Sequence, residues 1–273
     1  MKFRLNNGVE IPAIGLGTFR SKDEDAYKAV LHALKNGYRH IDTAMVYGNE
    51  SDVGRAIKDS NIPREEIFVT TKLWNGDQGY LSTKRALKRS LERLKLEYVD
   101  LYLIHWPKDY QKTADSYQAL EELYKDGFTR AIGVSNFNFH HLEHLFDTAE
   151  IMPQVNQVEC HVKVQNIKLQ DFCMKHGIHL EAYAPMMSHH IDELLEIEAL
   201  QNIAKKHQAS VPQIAIKYLI QRDIIAIPKS TTPKRIDENL KALAIQLDDE
   251  DMEAIRKLNS GRKSFPDPDN IDF

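Results

Sequence analysis

Four side chains that can carry a charge or move a proton follow short, mostly apolar segments of the chain. Asp42, Lys72 and His105 each stand at the end of such a segment. Tyr47 comes five residues after Asp42. These residues provide a carboxylate, an ammonium, an imidazole and a phenol, which are groups that can donate a proton to a carbonyl oxygen. Because burying polar groups without partners costs free energy, their positions indicate a functional site.

Within this set we expect Tyr47 to be the proton donor. A free phenol has a pKa of about 10, so a neighbouring cation that stabilises the phenolate would bring this pKa closer to neutrality. Lys72 is expected to supply that cation, and Asp42 to keep it protonated by pairing with it. His105 is expected to orient the substrate oxygen. Taken singly, Asp42 or Lys72 would also fit a structural salt bridge, and His105 a core histidine.

Eight apolar segments separate amphipathic stretches of helical length, a pattern that predicts repeated strand and helix units. The predicted strands are centred on residues 14–17, 38–41, 68–71, 99–104, 131–134, 154–158, 179–182 and 224–227. Helices are expected after Ser82, after Asn138, and after Thr232, where Pro233 would occupy the first helical position.

The predicted fold is an α/β (β/α)8 TIM barrel. It would occupy residues 1–273 as a single domain, with a short N-terminal β-hairpin and a C-terminal extra helix and tail. Continuous apolar strands fit a parallel sheet that is buried on both faces, and such barrels place their chemistry at the C-terminal strand ends. A doubly wound sheet is the alternative, but Gly15 and Gly17 lack the third glycine of a dinucleotide fingerprint.

Composition excludes several classes of partner. The 273 residues are 42% hydrophobic with a formal net charge of −4, so no positive field favours nucleic acid. No segment approaches the roughly 20 apolar residues of a membrane span. Two cysteines are too few for a disulfide framework, and a cytoplasmic location is expected. The histidine clusters at 140, 141 and 144 and at 189–190 lack a nearby carboxylate or cysteine pattern, so no metal site is predicted.

Six segments, HIDTAMVYGNE, TKLWN, LYLIHWP, IGVSNFN, VNQVECH and IPKSTTPKRIDEN, resemble the signatures of the aldo-keto reductase superfamily. They occur in the order and at the spacing of that family, and they cover nearly the whole chain. The chain looks most similar to the bacterial 2,5-diketogluconate-reductase-like branch. The resemblance implies a monomer that uses NADPH to reduce aldehydes, ketones or dicarbonyls to alcohols. It also implies that Asp42, Tyr47, Lys72 and His105 form the catalytic tetrad, with Tyr47 as general acid.

Cofactor residues are implied partly by chemistry and partly by the resemblance. The N-terminus of a helix at Thr232 suits a phosphate, and Arg235 and Lys229 add positive charge for the 2′-phosphate of NADP+. By resemblance, the nicotinamide would be held by Ser135, Asn136 and Gln157 and stacked on Tyr183. By resemblance also, the phosphate and adenine end would be bound by Lys229, Ser230, Thr231, Thr232, Arg235, Glu238 and Asn239.

The substrate pocket is expected to have aromatic walls formed by Phe19, Trp74 and Trp106, which suit hydrophobic carbonyl compounds. The loop after Tyr183 departs from the family pattern. Ala184 stands in place of a serine and Met187 in place of a glycine, so a hydroxyl that could bind the pyrophosphate is lost.

Two other functions are compatible with parts of the sequence. Lys72 at a barrel strand end could form a Schiff base in an aldolase, although this needs an uncharged amine and Asp42 would keep Lys72 protonated. A barrel that only binds the cofactor, and senses its redox state or docks to a partner, is the second alternative. The complete tetrad argues against it.

Overall fold

The computed structural model describes residues 1–271 and 273. Eight parallel strands form one sheet, and an antiparallel hairpin precedes them. The strands are β1 Lys2–Arg4, β2 Glu10–Pro12, β3 Leu16–Gly17, β4 His40–Asp42, β5 Phe68–Leu73, β6 Leu101–Ile104, β7 Ile132–Ser135, β8 Val155–Glu159, β9 His179–Tyr183 and β10 Ile225–Ala226. The helices are α1 Asp23–Lys35, α2 Glu50–Ser60, α3 Tyr80–Leu94, α4 Tyr110–Lys125, α5 Phe139–Phe146, α6 Ile167–Lys175, α7 Ile191–Leu195, α8 Glu198–Lys206, α9 Val211–Gln221, α10 Pro233–Leu240 and α11 Asp249–Arg256.

The sheet closes into a barrel where its first and last strands meet. Parallel bridges join Ile14 to Ala226 and Gly17 to Lys229. Glycine is required here because a Cβ on Gly17 would lie 3.0 Å from the Ile227 carbonyl oxygen, and one on Gly15 would lie 2.6 Å from the His40 ring. The two glycines therefore serve close packing of strands, and the (β/α)8 prediction is confirmed over the doubly wound sheet.

The additions at the two ends of the chain are also confirmed. The β1–β2 hairpin packs against the N-terminal end of the barrel, where Phe3 stacks on His179 at the start of β9. After α11 the tail crosses the opposite end, because buried Glu159 accepts hydrogen bonds from the backbone N–H groups of Ser264 and Phe265. The tail therefore lies over the face that carries the predicted site.

Two of the three predicted helix starts agree with the structure, and one does not. α5 begins after Asn138, whose N–H donates to His141 Nδ1, and α10 begins after Thr232. The start after Ser82 is wrong, because α3 already begins at Tyr80. Gly79 precedes this helix with φ near +120°, and the Ser82 hydroxyl bonds back to the Gly79 carbonyl from inside the first turn.

Strand lengths differ slightly from those predicted. The fourth predicted strand begins at Leu101 rather than at residue 99, because the Asp100 carboxylate replaces a backbone partner by accepting the Val69 N–H. Within residues 1–271 and 273, no helix combines the length and apolar composition needed to cross a lipid bilayer.

Candidate active site

Lys72 is the centre of a buried polar group at the C-terminal end of the barrel. Its side chain is fully buried on β5, beside Asp42 at the end of β4. Lys72 Nζ donates to Asp42 Oδ1 at 2.7 Å, to Asp42 Oδ2 at 2.8 Å and to the Thr43 carbonyl at 2.9 Å. Tyr47 ends a short 3₁₀ turn after β4, and its hydroxyl oxygen lies 3.5 Å from Lys72 Nζ.

The charges of this pair follow from its surroundings. Burial alone would lower the pKa of Lys72, but Asp42, with Tyr47 and Glu181 adding to it, outweighs burial and the pKa is raised. Lys72 is therefore an ammonium at neutral pH. A buried ammonium needs such a partner, because an unpaired charge in the interior is costly.

The expected lowering of the Tyr47 pKa toward neutrality is wrong. Burial raises the pKa of Tyr47 above its ordinary value, and Lys72 opposes this without overcoming it. The sequence-based expectation considered the cation and not the desolvation of the phenolate. Tyr47 therefore keeps its proton at neutral pH. A phenol of this kind is still a stronger acid than an alcohol, so it can protonate an alkoxide that develops beside it.

His105 follows β6 and faces the same cavity. Its ring contacts Tyr47 edge-on with centroids 5.6 Å apart, and Trp74 likewise at 5.4 Å. Burial, with Lys72 adding to it, lowers the pKa of His105 well below 6.5. His105 is therefore neutral at neutral pH and can orient an oxygen by a hydrogen bond, but it holds no extra proton to give.

The four residues expected to hold a nicotinamide are connected by hydrogen bonds. Tyr183 donates its hydroxyl proton to Asn136 Oδ1 at 2.8 Å, and Asn136 Nδ2 donates to the His105 carbonyl at 3.0 Å. Ser135 Oγ donates to the Gln157 carbonyl at 2.9 Å. The ring of Tyr183 is thus fixed in position next to the tetrad side chains, as a stacking surface requires.

The residues expected at the phosphate end lie around the N-terminus of α10. Ser230 Oγ accepts the Thr232 N–H at 3.1 Å, which shapes the entry into the helix. Arg235 in the first turn is exposed and makes no ion pair with any described residue. Asn239 is buried, and its Nδ2 has no hydrogen-bond partner among the residues described. This part of α10 therefore offers a free guanidinium and a free amide donor.

The other residues predicted to bind the phosphate and adenine end of the cofactor lie in α10 or just before it in the sequence. Lys229 and Thr231 are exposed, and Glu238 is partly buried, with its carboxylate 3.9 Å from Lys234 Nζ.

Comparison with known proteins identifies the family to which the chain belongs. The sequence profile of the Aldo/keto reductase family matches residues 13–260. The chain belongs to this family. Glyoxal reductase of Bacillus subtilis (strain 168) is 50% identical over 272 residues, which cover 99% of this chain and 97% of that protein. Glycerol 2-dehydrogenase (NADP(+)) of Saccharomyces cerevisiae is 43% identical over an alignment that covers 93% of this chain and 89% of that protein.

A solved structure agrees with this assignment. MGS-M4, an aldo-keto reductase enzyme from a Medee basin deep-sea metagenome library, superposes with a TM-score of 0.98 and 60% identity, covering 99% of this chain and 100% of that one. As an aldo-keto reductase, the chain is an oxidoreductase that acts on carbonyl and alcohol groups.

The aromatic mouth of this aldo-keto reductase contains one residue that the sequence analysis missed. The ring centroids of Phe19 and Tyr47 are 5.1 Å apart, and those of Trp74 and His105 are 5.4 Å apart. Phe273 stacks on Trp74 with centroids 5.7 Å apart and meets Trp106 edge-on at 5.5 Å. Phe273 therefore packs in one aromatic cluster with Trp74 and Trp106.

The loop after β9 has a strained backbone at its departures from the family pattern. Ala184, Met187 and Ser188 all have positive φ, of 51°, 61° and 44°. A side chain in this region costs free energy that glycine avoids, so the family glycine at 187 has a clear physical reason. Met187 compensates by burying its side chain, which is 3% exposed.

The histidines of α5 do have a carboxylate neighbour, contrary to the sequence analysis. Asp269 from the tail lies 3.1 Å from His140 Nε2 and 3.5 Å from His141 Nε2. His141 Nδ1 accepts the Asn138 N–H, so a neutral His141 ring carries its proton on Nε2, and Asp269 Oδ2 accepts a hydrogen bond from Asn138 Nδ2 at 3.0 Å. That His–Asp contact was not predictable, because the tail is distant in sequence. The second histidine pair, at 189–190, is separate from this group. There, His189 Nε2 lies 2.8 Å from a guanidinium nitrogen of Arg20.

Two buried ionisable residues below the tetrad were also missed. Glu181 on β9 and His40 on β4 are both fully buried, with His40 Nε2 3.5 Å from Glu181 Oε1. The available signal was a single glutamate inside the predicted strand 179–182.

Proposed function

We propose that this enzyme reduces aldehydes, ketones or dicarbonyls to alcohols with NADPH, and that Tyr47 donates the proton. The observation that carries the proposal is the position of Lys72, which bonds both oxygens of Asp42 and lies 3.5 Å from the Tyr47 hydroxyl. This ammonium favours the phenolate that remains after Tyr47 has given its proton. It stays charged because Asp42 neutralises it.

The protonation states support Tyr47 over His105 as the donor. The pKa of Tyr47 is raised by burial, whereas the pKa of His105 is lowered well below 6.5. At neutral pH the phenol therefore holds a transferable proton and the imidazole is neutral. His105 would position the carbonyl oxygen by a hydrogen bond, and Tyr47 would protonate it as negative charge develops.

Cofactor binding is proposed for the residues that surround Tyr183 and the start of α10. NADPH would supply the hydride for the carbonyl carbon. Gln157 and Asn136 would bind the carboxamide of the nicotinamide, and Tyr183 would stack on its ring. The free Arg235 guanidinium fits a phosphate through parallel hydrogen bonds, and the unpartnered Asn239 Nδ2 fits a ring nitrogen of adenine.

Further cofactor contacts are proposed from the same surface. Ser135 would complete the contacts to the nicotinamide. At the phosphate and adenine end, the contacts would be completed by Lys229, Ser230, Thr231, Thr232 and Glu238.

Small carbonyl compounds with an apolar part are the proposed substrates. Phe19, Trp74 and Trp106 provide apolar surface beside the polar end formed by Tyr47 and His105. Glyoxal reductase, a relative that is 50% identical, bears the name of a dicarbonyl substrate. Dicarbonyls and aromatic aldehydes are therefore the first compounds to assay. We also propose that the enzyme is monomeric and cytoplasmic.

The test is a panel of aldehydes, α-dicarbonyls, keto sugars and steroids assayed for NADPH consumption and ranked by kcat/KM. The proposal expects turnover with at least the small aldehydes or dicarbonyls. An enzyme that binds NADPH tightly and reduces none of them would instead fit a cofactor-binding module. Oligomeric state is measured separately by analytical ultracentrifugation.

The aldolase alternative is weaker because Lys72 is an ammonium bonded to Asp42. A Schiff base needs the free amine. Borohydride added together with a keto substrate would trap a covalent adduct on Lys72 if the aldolase mechanism operated. We expect no adduct by mass spectrometry.

A further inference from the structure

Glu181 is a second carboxyl group below the tetrad, and the proposed mechanism gives it no part. It lies within β9 with a relative exposure of 0%, paired in register with Gln157 of β8 and Ile225 of β10. Gln157 Nε2 donates to Glu181 Oε2 at 2.7 Å and to Asp42 Oδ2 at 2.8 Å. One amide group therefore connects Glu181 to the partner of Lys72.

The charged groups around Glu181 do not balance if both carboxyls are ionised. His40 and Asp42 face it from β4, and Lys72 from β5. Residues of β8 and β10 beside it are the neutral Gln157 and Ile225. Burial and Lys72 lower the pKa of His40 to about 3, so His40 is neutral. Two carboxyls thus share one cation, and Lys72 makes its hydrogen bonds to Asp42, Thr43 and Tyr47.

Such a cluster is most stable when it holds one extra proton. Two carboxylates that share a site cannot both ionise at the same pH, and one of them keeps a proton into a higher pH range. Asp42 has the ammonium, so the proton belongs on Glu181. Its Oε2 accepts from Gln157, and Oε1 has no hydrogen-bond partner among the residues described. Oε1 also lies 3.5 Å from Nε2 of the neutral His40 ring, so a proton on Oε1 would face a nitrogen that can accept it.

We propose that Glu181 is protonated at neutral pH and ionises in alkaline solution, and that its charge sets how strongly Tyr47 holds its own proton. This inference rests on the proposed function of Tyr47. Glu181 acts through Asp42 and Lys72 and touches no reacting atom. It is therefore a positioning residue, whose charge changes the pKa of Tyr47.

The direction of the effect follows from the charges. Burial, with Asp42 adding to it, raises the pKa of Glu181 to about 8. Below that pH the cluster of Asp42, Lys72 and neutral Glu181 has no net charge. Above it a second negative charge appears, and this charge raises the pKa of Tyr47 further. Tyr47 is thus a stronger acid when Glu181 is neutral.

The test compares pH profiles of kcat/KM for wild type and Glu181→Gln in both directions of the reaction. Reduction needs the phenol, and alcohol oxidation needs the phenolate. In Glu181→Gln the second negative charge never forms. Both the alkaline limb of reduction and the acidic limb of oxidation should move to lower pH by about one unit. Profiles that coincide with those of wild type would overturn the inference.

Infrared difference spectroscopy supplies a readout that does not depend on activity. The carbonyl stretch of a protonated carboxylic acid should be present at about pH 6, lost by about pH 10, and absent from the same difference spectrum of Glu181→Gln. An unchanged spectrum in that variant would show that the band does not come from Glu181 and would contradict the inference. Glu181→Leu is a second neutral variant if Glu181→Gln folds poorly.

Glu121→Gln is the matched control. Glu121 is another buried glutamate whose pKa is raised by burial, but it lies on α4 and accepts the N–H groups of Glu150 and Ile151. Its replacement should leave both pH profiles in place. If Tyr47→Phe retains full reductase activity, the proposed function fails. If Tyr47→Phe is inactive but the pH profiles of Glu181→Gln match those of wild type, the proposed function stands and only the role of Glu181 fails.

Discussion

Lys72 Nζ lies 2.7 Å from Asp42 Oδ1 and 3.5 Å from the Tyr47 hydroxyl oxygen, so a single buried ammonium faces both a carboxylate and a phenol. Neighbouring parallel strands produce this arrangement, because Asp42 pairs in register with Thr70 and brings β5 alongside it. Asp42 keeps Lys72 protonated, and the positive charge of Lys72 also acts on the Tyr47 hydroxyl.

Lys72→Met should abolish most of the reductase activity while the fold is retained. Without the ammonium, burial raises the pKa of Tyr47 unopposed and Asp42 loses its partner. We expect kcat for aldehyde reduction to fall by at least about 10²-fold, the usual size of a general-acid contribution. Lys217→Met is the control, since Lys217 is also buried but lies on α9 outside the barrel. Retained activity of Lys72→Met would remove Lys72 from the mechanism.

Arg235→Ala should weaken NADPH much more than NADH. A charged hydrogen bond to phosphate contributes about 1.5–3 kcal/mol, which corresponds to a rise of roughly 10–150-fold in the Kd of NADPH. NADH lacks the 2′-phosphate, so its Kd should be nearly unchanged. Fluorescence titration measures both values, and Lys241→Ala at the other end of α10 controls for the loss of one positive charge. Equal weakening of the two cofactors would show that Arg235 does not bind the 2′-phosphate.

Phe273→Ala should alter substrate preference. Phe273 stacks on Trp74 and contacts Trp106, so its loss removes apolar wall from the pocket. Because one aromatic contact contributes about 0.5–1.5 kcal/mol, KM for aromatic aldehydes should rise about 2–10-fold and KM for glyoxal should change little. Phe128→Ala changes an exposed phenylalanine before the N-terminal end of β7 and should change neither KM. Equal effects on both substrates would contradict this role.

The sequence predicted those parts of the fold and site that follow local patterns. Strand ends were found because apolar segments stop at polar residues such as Lys72, and the barrel brings these ends to one face. The start of α10 was found because Thr232 and Pro233 form a local signal.

Features that depend on distant contacts could not be predicted. Phe273 reaches Trp74 because the tail is held by residues far from it in sequence: Glu159 accepts N–H groups of the tail, and Asn75 donates to the Phe273 carbonyl. Glu181 was overlooked because one glutamate in an apolar strand shows no pattern, and its importance comes from Gln157 on the next strand. The pKa of Tyr47 was misjudged because desolvation depends on the packing around the ring.

Gly54→Ala should destabilise the protein without changing the site. A Cβ on Gly54 in α2 would lie 2.1 Å from the Leu94 carbonyl oxygen at the end of α3. Overpacking of this kind costs about 1–3 kcal/mol in the free energy of unfolding. Gly76→Ala is the control, because the nearest atom to its Cβ would be 3.8 Å away. Urea denaturation measures the difference, and equal stability of the two variants would contradict the close α2–α3 contact.

Tyr47→Phe tests the central proposal most directly, since it removes the phenolic oxygen and preserves the ring. Tyr98→Phe, on the chain before the N-terminal end of β6, is the matched control. Turnover of a test aldehyde and the Kd of NADPH are measured for both variants. We predict that kcat of Tyr47→Phe falls by about 10²–10⁴-fold while the Kd of NADPH stays within about twofold of wild type. A kcat equal to that of wild type would contradict the assignment of Tyr47 as the proton donor.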